Sequence, residues 1–138
     1  MQYKRVMGLD YGDARIGIAF SDLLCTIASP YDTLWRKTLA EDLEYFKNLV
    51  TSNDVGLIVI GLAYNMDGSE GKRVEVTKEF GGLLQKELGI PVQYVDERLS
   101  SVEAEDLLRQ AHVPPIKRKG LLDKISASII LQNYLNMK

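Results

Sequence analysis

Residues 4–21 read KRVMGLDYGDARIGIAFS, and the fold turns on this stretch. Lys4 to Leu9 reads as a buried strand that ends at Asp10. Tyr11-Gly12-Asp13-Ala14 is turn chemistry, with Gly12 free to take a positive φ. Arg15 to Ser21 alternates polar or small residues with apolar ones, which predicts a second strand paired to the first in a hairpin.

A third short strand is expected between Cys25 and Thr33, interrupted near Pro30. Apolar residues at 39, 43, 46, 49 and 50 have helical spacing and predict a helix from Leu39 to Val50. Val55 to Ile60 is a continuous apolar run, as in a parallel strand covered on both faces. Leu62 to Ser69 reads as a loop with an Asp67-Gly68 turn. Glu70 to Leu88 reads as a helix stopped by Gly89 and Pro91, and Val92 to Val95 as another buried strand. Ser100-Ser101-Val102-Glu103 matches a capping box, so a third helix starts there and runs to about Ala111. His112 to Lys119 reads as a loop, and the last helix as Gly120 to Tyr134. The order βββ-α-β-α-β-α-α predicts an α/β fold on a mixed five-stranded sheet, an antiparallel meander followed by αβ units.

The 138 residues suit one domain, residues 1–138, with 46% hydrophobic and 26% charged residues. No run of 18 apolar residues suggests a membrane span. The first residues lack the zones of a signal peptide, and the lone Cys25 cannot form an internal disulfide, so a cytoplasmic location is expected. One cysteine and one histidine exclude a zinc finger. His112, without a GxSxG elbow, does not make a hydrolase triad and reads as a surface loop residue. Gly8, Gly12 and Gly17 do not fit GxGxxG, and no Walker GxxxxGK[ST] is present. The net charge of −2 argues against binding nucleic acid by bulk charge, although bound divalent cations would reverse its sign.

Three carboxylates stand out by position. Asp10 ends the first strand, Glu97 follows the Val92–Val95 strand, and Asp123 lies in the last helix. Ala127, Ile130 and Tyr134 share a helical stripe with Asp123, while Leu121, Leu122, Ile125, Ile129 and Leu135 make the opposite side apolar too. A carboxylate on so buried a helix needs a cation, a donor or a proton. Ser126-Ala127-Ser128 are small and would let this helix approach the sheet closely. Each carboxylate also has a plainer reading: Asp10 as a turn cap, Glu97 as an ion-pair partner of Arg98, Asp123 as a first-turn acid favoured by the helix dipole. Converging, the three would suit Mg²⁺ or Mn²⁺, and two such ions about 3.5–4 Å apart can activate water against a phosphodiester.

GLDYGDARIGIAFSD, GLAYNMDGSEG, VDERLSSVEAEDLL and DKISASIILQNYL, in that order, resemble the YqgF/RuvX family. Its members are described as Holliday junction resolvase-like proteins and as pre-16S ribosomal RNA nucleases. The resemblance runs from Val6 to Leu135 and implies an RNase H-like fold. It places the family's metal-binding acidic triad on Asp10, Glu97 and Asp123. It places Arg15, Asn65, Asp67, Gly68 and Ser69 near the site or substrate. It implies a metal-dependent endonuclease on structured nucleic acid, with Asp10 bridging two ions and cleavage leaving 3′-hydroxyl and 5′-phosphate ends. The implied role is 5′-end processing of pre-16S rRNA on a ribosomal precursor particle. The chain departs from the family at Ala14, where a basic residue is frequent, at Ala63 for proline, and at Ser126 for alanine.

Arg98 and the basic run Lys117-Arg118-Lys119, with Arg109 and Lys124 nearby, could neutralise substrate phosphates. Trp35 and Tyr64 could stack on bases or pack, and Cys25 reads as a small buried hydrophobe. Rival readings are a Holliday junction resolvase on four-way DNA, an actin-like ATP-binding module suggested by GLDYG, and a non-catalytic RNA-binding protein. Nothing in the sequence marks a dimer face.

Overall fold

A computed structural model describes residues 4–63, 71–96 and 100–137, and within these not the side chains at 100–103, 105 and 115–119. β1 (Arg5–Tyr11), β2 (Arg15–Ser21) and β3 (Ala28–Trp35) are followed by α1 (Leu39–Ser52), β4 (Val55–Leu62), α2 (Lys72–Leu88) and β5 (Val92–Asp96). The chain ends in α3 (Ser100–Gln110) and α4 (Pro115–Asn136). The strands form one five-stranded sheet of order β3-β2-β1-β4-β5. β1, β2 and β3 pair antiparallel, whereas β4 and β5 join parallel to β1, which is the mixed sheet expected.

Strand alternation gives the sheet two different faces. Met7, Leu9 and Tyr11 of β1 pack with Phe46 and Leu49 of α1 and Phe80 and Leu84 of α2. Val6, Ala19 and Val59 pack on the other face with Ala127, Ile130, Leu131 and Leu135 of α4. Leu135 thus faces the sheet rather than the side opposite Asp123, and α3 packs on α4. Glycines flatten that second face: a Cβ on Gly8 would stand 2.7 Å from Leu131 Cβ. Small residues on both surfaces let α4 lie so close to the strands that no Cβ fits at Gly8.

Three local expectations change. The residues from Pro115 to Lys119 are the first turns of α4, not a loop. Pro114 is the N-cap and Pro115 opens the helix, where a missing N–H costs no hydrogen bond. Gly12 does not have a positive φ; a Cβ there would meet the Arg15 carbonyl oxygen at 2.4 Å, so close approach explains the glycine. Cys25 is half-buried with φ 57°, in a turn where Asp22 accepts from Thr26 N, Thr26 Oγ1 and Ile27 N.

Pro30 sits in edge strand β3 where the register slips, Ile18 facing Asp32 and Ala19 facing Pro30, so the interruption is a bulge at Tyr31. His112 is exposed, as expected, and with φ 58° it ends α3: Val113 N donates to Leu108 O at 3.0 Å. Among the described residues no helix is long and apolar enough to cross a membrane.

Candidate active site

Asp10 is the penultimate residue of β1 and lies directly opposite Gly17 of β2. Leu9 and Tyr11 belong to the α1/α2 face, so alternation puts Asp10 on the face that α4 covers. Gly17 shares that face. A Cβ on Gly17 would stand 1.9 Å from the backbone oxygen of Asp123, so α4 crosses the sheet at Gly17. The two carboxylate-bearing residues are therefore brought to one place by a glycine. Thr33 of β3 fastens the same stretch of helix, its Oγ1 donating to Gly120 O at 2.5 Å.

Asp123 is the ninth residue of α4, so the helix dipole does not explain it. Its partner is Arg15, whose Nε donates to Asp123 Oδ2 in an ion pair with side chains 24% and 15% exposed. The Arg15 guanidinium also lies over the Trp35 ring, 5.3 Å from its centroid, and Trp35 is half exposed. Arg15 and Trp35 are register partners on β2 and β3. Ser126, one turn beyond Asp123, is buried and its hydroxyl has no hydrogen-bond partner among the described residues.

The parallel strands β1, β4 and β5 end side by side, Leu9 next to Ile60 and Leu62 next to Asp96. Glu97 is the next residue in the sequence. Glu97 and Arg98 lie outside the described residues, as do Tyr64, Asn65, Asp67, Gly68 and Ser69. Lys117, Arg118 and Lys119 fall in the first two turns of α4, with side chains outside the described ones.

The turn after Asp10 is held by two arginines that sequence reasoning missed. Arg36 and Arg73 lie against the Tyr11 ring, at 5.0 and 5.5 Å from its centroid. Arg36 donates to Tyr11 Oη at 2.8 Å and to Gly12 O at 3.3 Å. Arg73 donates to Tyr11 O at 2.6 Å and to Asp13 at 2.9 Å. Arg36 is anchored in turn on the buried Asp42, at 3.2 Å. Burial opposes the charge on Arg36, but its hydrogen bonds to Tyr11 and Asp42 outweigh it and hold the guanidinium pKa above its usual value. No sequence pattern announces either arginine, because each contact joins residues far apart in the chain.

Asp10 and Asp123 are hard oxygen donors, the type that Mg²⁺ and Mn²⁺ take. A guanidinium on Asp123 shows that the position already accommodates a cation. Among the described residues, which do not include Glu97, no three acidic, histidine or cysteine side chains cluster.

The RuvX family model, described as Holliday junction resolvase, matches residues 4–137. A "Putative pre-16S rRNA nuclease" of Halothermothrix orenii is 54% identical over 132 residues, 96% of this chain and 94% of that one. The protein of the same name from Heliobacterium modesticaldum is 46% identical, over 97% of this chain and 90% of its own. Thermus thermophilus RuvC in complex with Holliday junction substrate superposes with a TM-score of 0.60 at 12% identity, covering 98% of this chain and 95% of that one. Fowlpox virus resolvase with Holliday junction DNA gives 0.57 at 11%, covering 96% and 97%. At such identities the likeness is one of fold, and that fold is RNase H-like.

Proposed function

The chain belongs to the RuvX family of nucleases, and from that premise we propose that it cuts structured RNA, processing the 5′ end of pre-16S rRNA with divalent cations. The observation that carries the reading is the convergence of Asp10 and Asp123 at Gly17, two hard donors from distant segments on a nuclease fold.

Asp10, Glu97 and Asp123 are the residues that would hold two Mg²⁺ or Mn²⁺ ions, whose chemistry is to activate water and neutralise the leaving oxygen. β1 and α4 fix two of those carboxylates on rigid elements. Arg36 and Arg73 position Asp10 by gripping Tyr11. Asn65, Asp67, Ser69 and Arg98 would meet the substrate, and Lys117, Arg118 and Lys119 would meet its phosphates from the start of α4. Residues 1–138 work as one nuclease domain, in the reducing cytoplasm that a lone cysteine suits.

RNA is favoured over branched DNA by the names of the relatives with the higher identities, and a ribosomal precursor particle is the natural partner. Four-way DNA is the second reading, favoured by the fold shared with two junction resolvases.

The test is a cleavage gel. End-labelled pre-16S RNA, unstructured RNA and a four-way DNA junction are incubated with Mg²⁺, Mn²⁺ or chelator, beside Asp10→Asn. Metal-dependent cutting of the precursor, lost in the folded variant, is expected, with 3′-hydroxyl and 5′-phosphate ends. Cutting of the junction alone would select the DNA reading, and undiminished activity in Asp10→Asn would sink the site assignment.

A further inference from the structure

Arg15 is held from two sides: Nε donates to Asp123, and the guanidinium rests on Trp35. On the metal-dependent reading above, Asp123 must serve a divalent ion as well. A guanidinium on Asp123 Oδ2 and a divalent ion on the same carboxylate repel one another, so binding of the ion weakens the hold on Arg15.

We propose that Arg15 is the resident counter-cation of the site: it neutralises Asp123 until a divalent ion binds, then releases it and turns its guanidinium to a substrate phosphate while staying on Trp35. Three observations carry this. The contact with Asp123 uses Nε alone, and among the described residues the two terminal nitrogens have no partner. A permanent arginine–carboxylate clamp normally engages two parallel N–H groups, so this one is easier to break. Those free terminal nitrogens form the fork that fits a phosphate.

Trp35 supplies the other half of the device. It sits on β3, opposite Arg15 and independent of Asp123. A guanidinium that leaves the carboxylate therefore keeps an anchor at the mouth of the site. The divalent ion takes over the neutralisation of Asp123, and the arginine's charge then complements the substrate's phosphate.

Trp35 is the only tryptophan in the chain, so its fluorescence reports on Arg15 directly. The full-length protein is titrated with Mg²⁺ while the emission is read, and with Mn²⁺ in a calorimeter. Wild type is expected to show a saturable emission change that Arg15→Gln lacks. Mn²⁺ should bind about tenfold more tightly to Arg15→Gln and Arg15→Ala, because a unit charge beside the ion is gone. Arg15→Lys, which keeps the charge, should stay near wild type. Arg15→Gln keeps a polar donor without the charge, so beside Arg15→Ala it separates charge from orientation, and unfolding curves check that both variants are folded. If arginine merely orients Asp123, both uncharged variants bind Mn²⁺ equally or more weakly, and the proposal is overturned. Wild type that binds metal without any dependence on residue 15 overturns this proposal alone. Wild type that binds no divalent ion at millimolar concentration overturns the metal reading and this proposal with it.

Discussion

The backbone oxygen of Asp123 stands 1.9 Å from the point that a Cβ on Gly17 would occupy. The obstacle is helix backbone, which cannot rotate aside as a side chain would. Asp10 faces Gly17 across the hairpin, so one missing methyl group sets the distance between the two halves of the site.

Gly17→Ala should therefore cost about 3 kcal/mol or more, at the upper end of overpacking penalties, and should abolish cleavage in whatever fraction stays folded. Gly82→Ala is the control. Nothing lies within 4 Å of a Cβ there, and the residue is inside α2, so the change should stabilise by roughly 0.5–1 kcal/mol. Denaturant unfolding of the two variants checks both signs.

Ser126 lies one turn beyond Asp123 with a buried hydroxyl that has no partner among the described residues. An unmade hydrogen bond in the interior is a standing cost. Ser126→Ala should raise stability by about 1 kcal/mol, seen as a higher denaturation midpoint at unchanged m. A loss of stability instead would mean that the hydroxyl is bonded within the folded protein.

The legible part of this fold was whatever local pattern alone controls. Alternation in Arg15–Ser21 gave β2 its observed bounds, and the apolar run at Val55 placed β4 inside a parallel sheet. Asp10 stands out in the sequence because strand ends are where such sheets put ligands, and it does lie at the end of β1 beside the crossing of α4. What escaped was long-range or cooperative. The start of α4 was hidden by Pro114-Pro115, which reads as loop but caps a helix as well. Gly12 and Gly17 look alike in sequence, yet one makes room for a turn carbonyl and the other for a helix. Arg36 and Arg73 act through the Tyr11 ring, a contact no spacing encodes.

Asp22 gives a pH signature away from the site. It accepts from Ile27 N, Thr26 Oγ1 and Thr26 N, with Ile27 the largest influence, and these hold its carboxyl below the usual value of 3.8. A carboxylate with a lowered folded pKa adds stability that is complete above 3.8 and is lost as the pH falls through the folded value. Melting temperatures of wild type and Asp22→Asn should differ by a constant amount at neutral pH, and the gap should close below 3.8. A gap that persists in acid would show that the carboxylate charge is not what braces this turn.

Arg36 links stability to the site most directly. Its partner Asp42 has a side chain 1% exposed and also accepts from Lys37 N at 3.1 Å. Removing the arginine leaves a buried charge without its counter-ion, and such losses run to about 3–5 kcal/mol. Arg36→Ala should destabilise on that scale. It should also loosen Tyr11 and Gly12, the residues next to Asp10, because it removes hydrogen bonds to both. The double variant Arg36→Met/Asp42→Leu removes both charges and keeps apolar bulk against Tyr11 and Phe80. It should recover most of the stability and little of the cleavage rate, since the hydrogen bonds that set the turn are still missing. Equal recovery of stability and rate would assign Arg36 a purely structural role, and the comparison needs only unfolding curves and single-turnover cleavage.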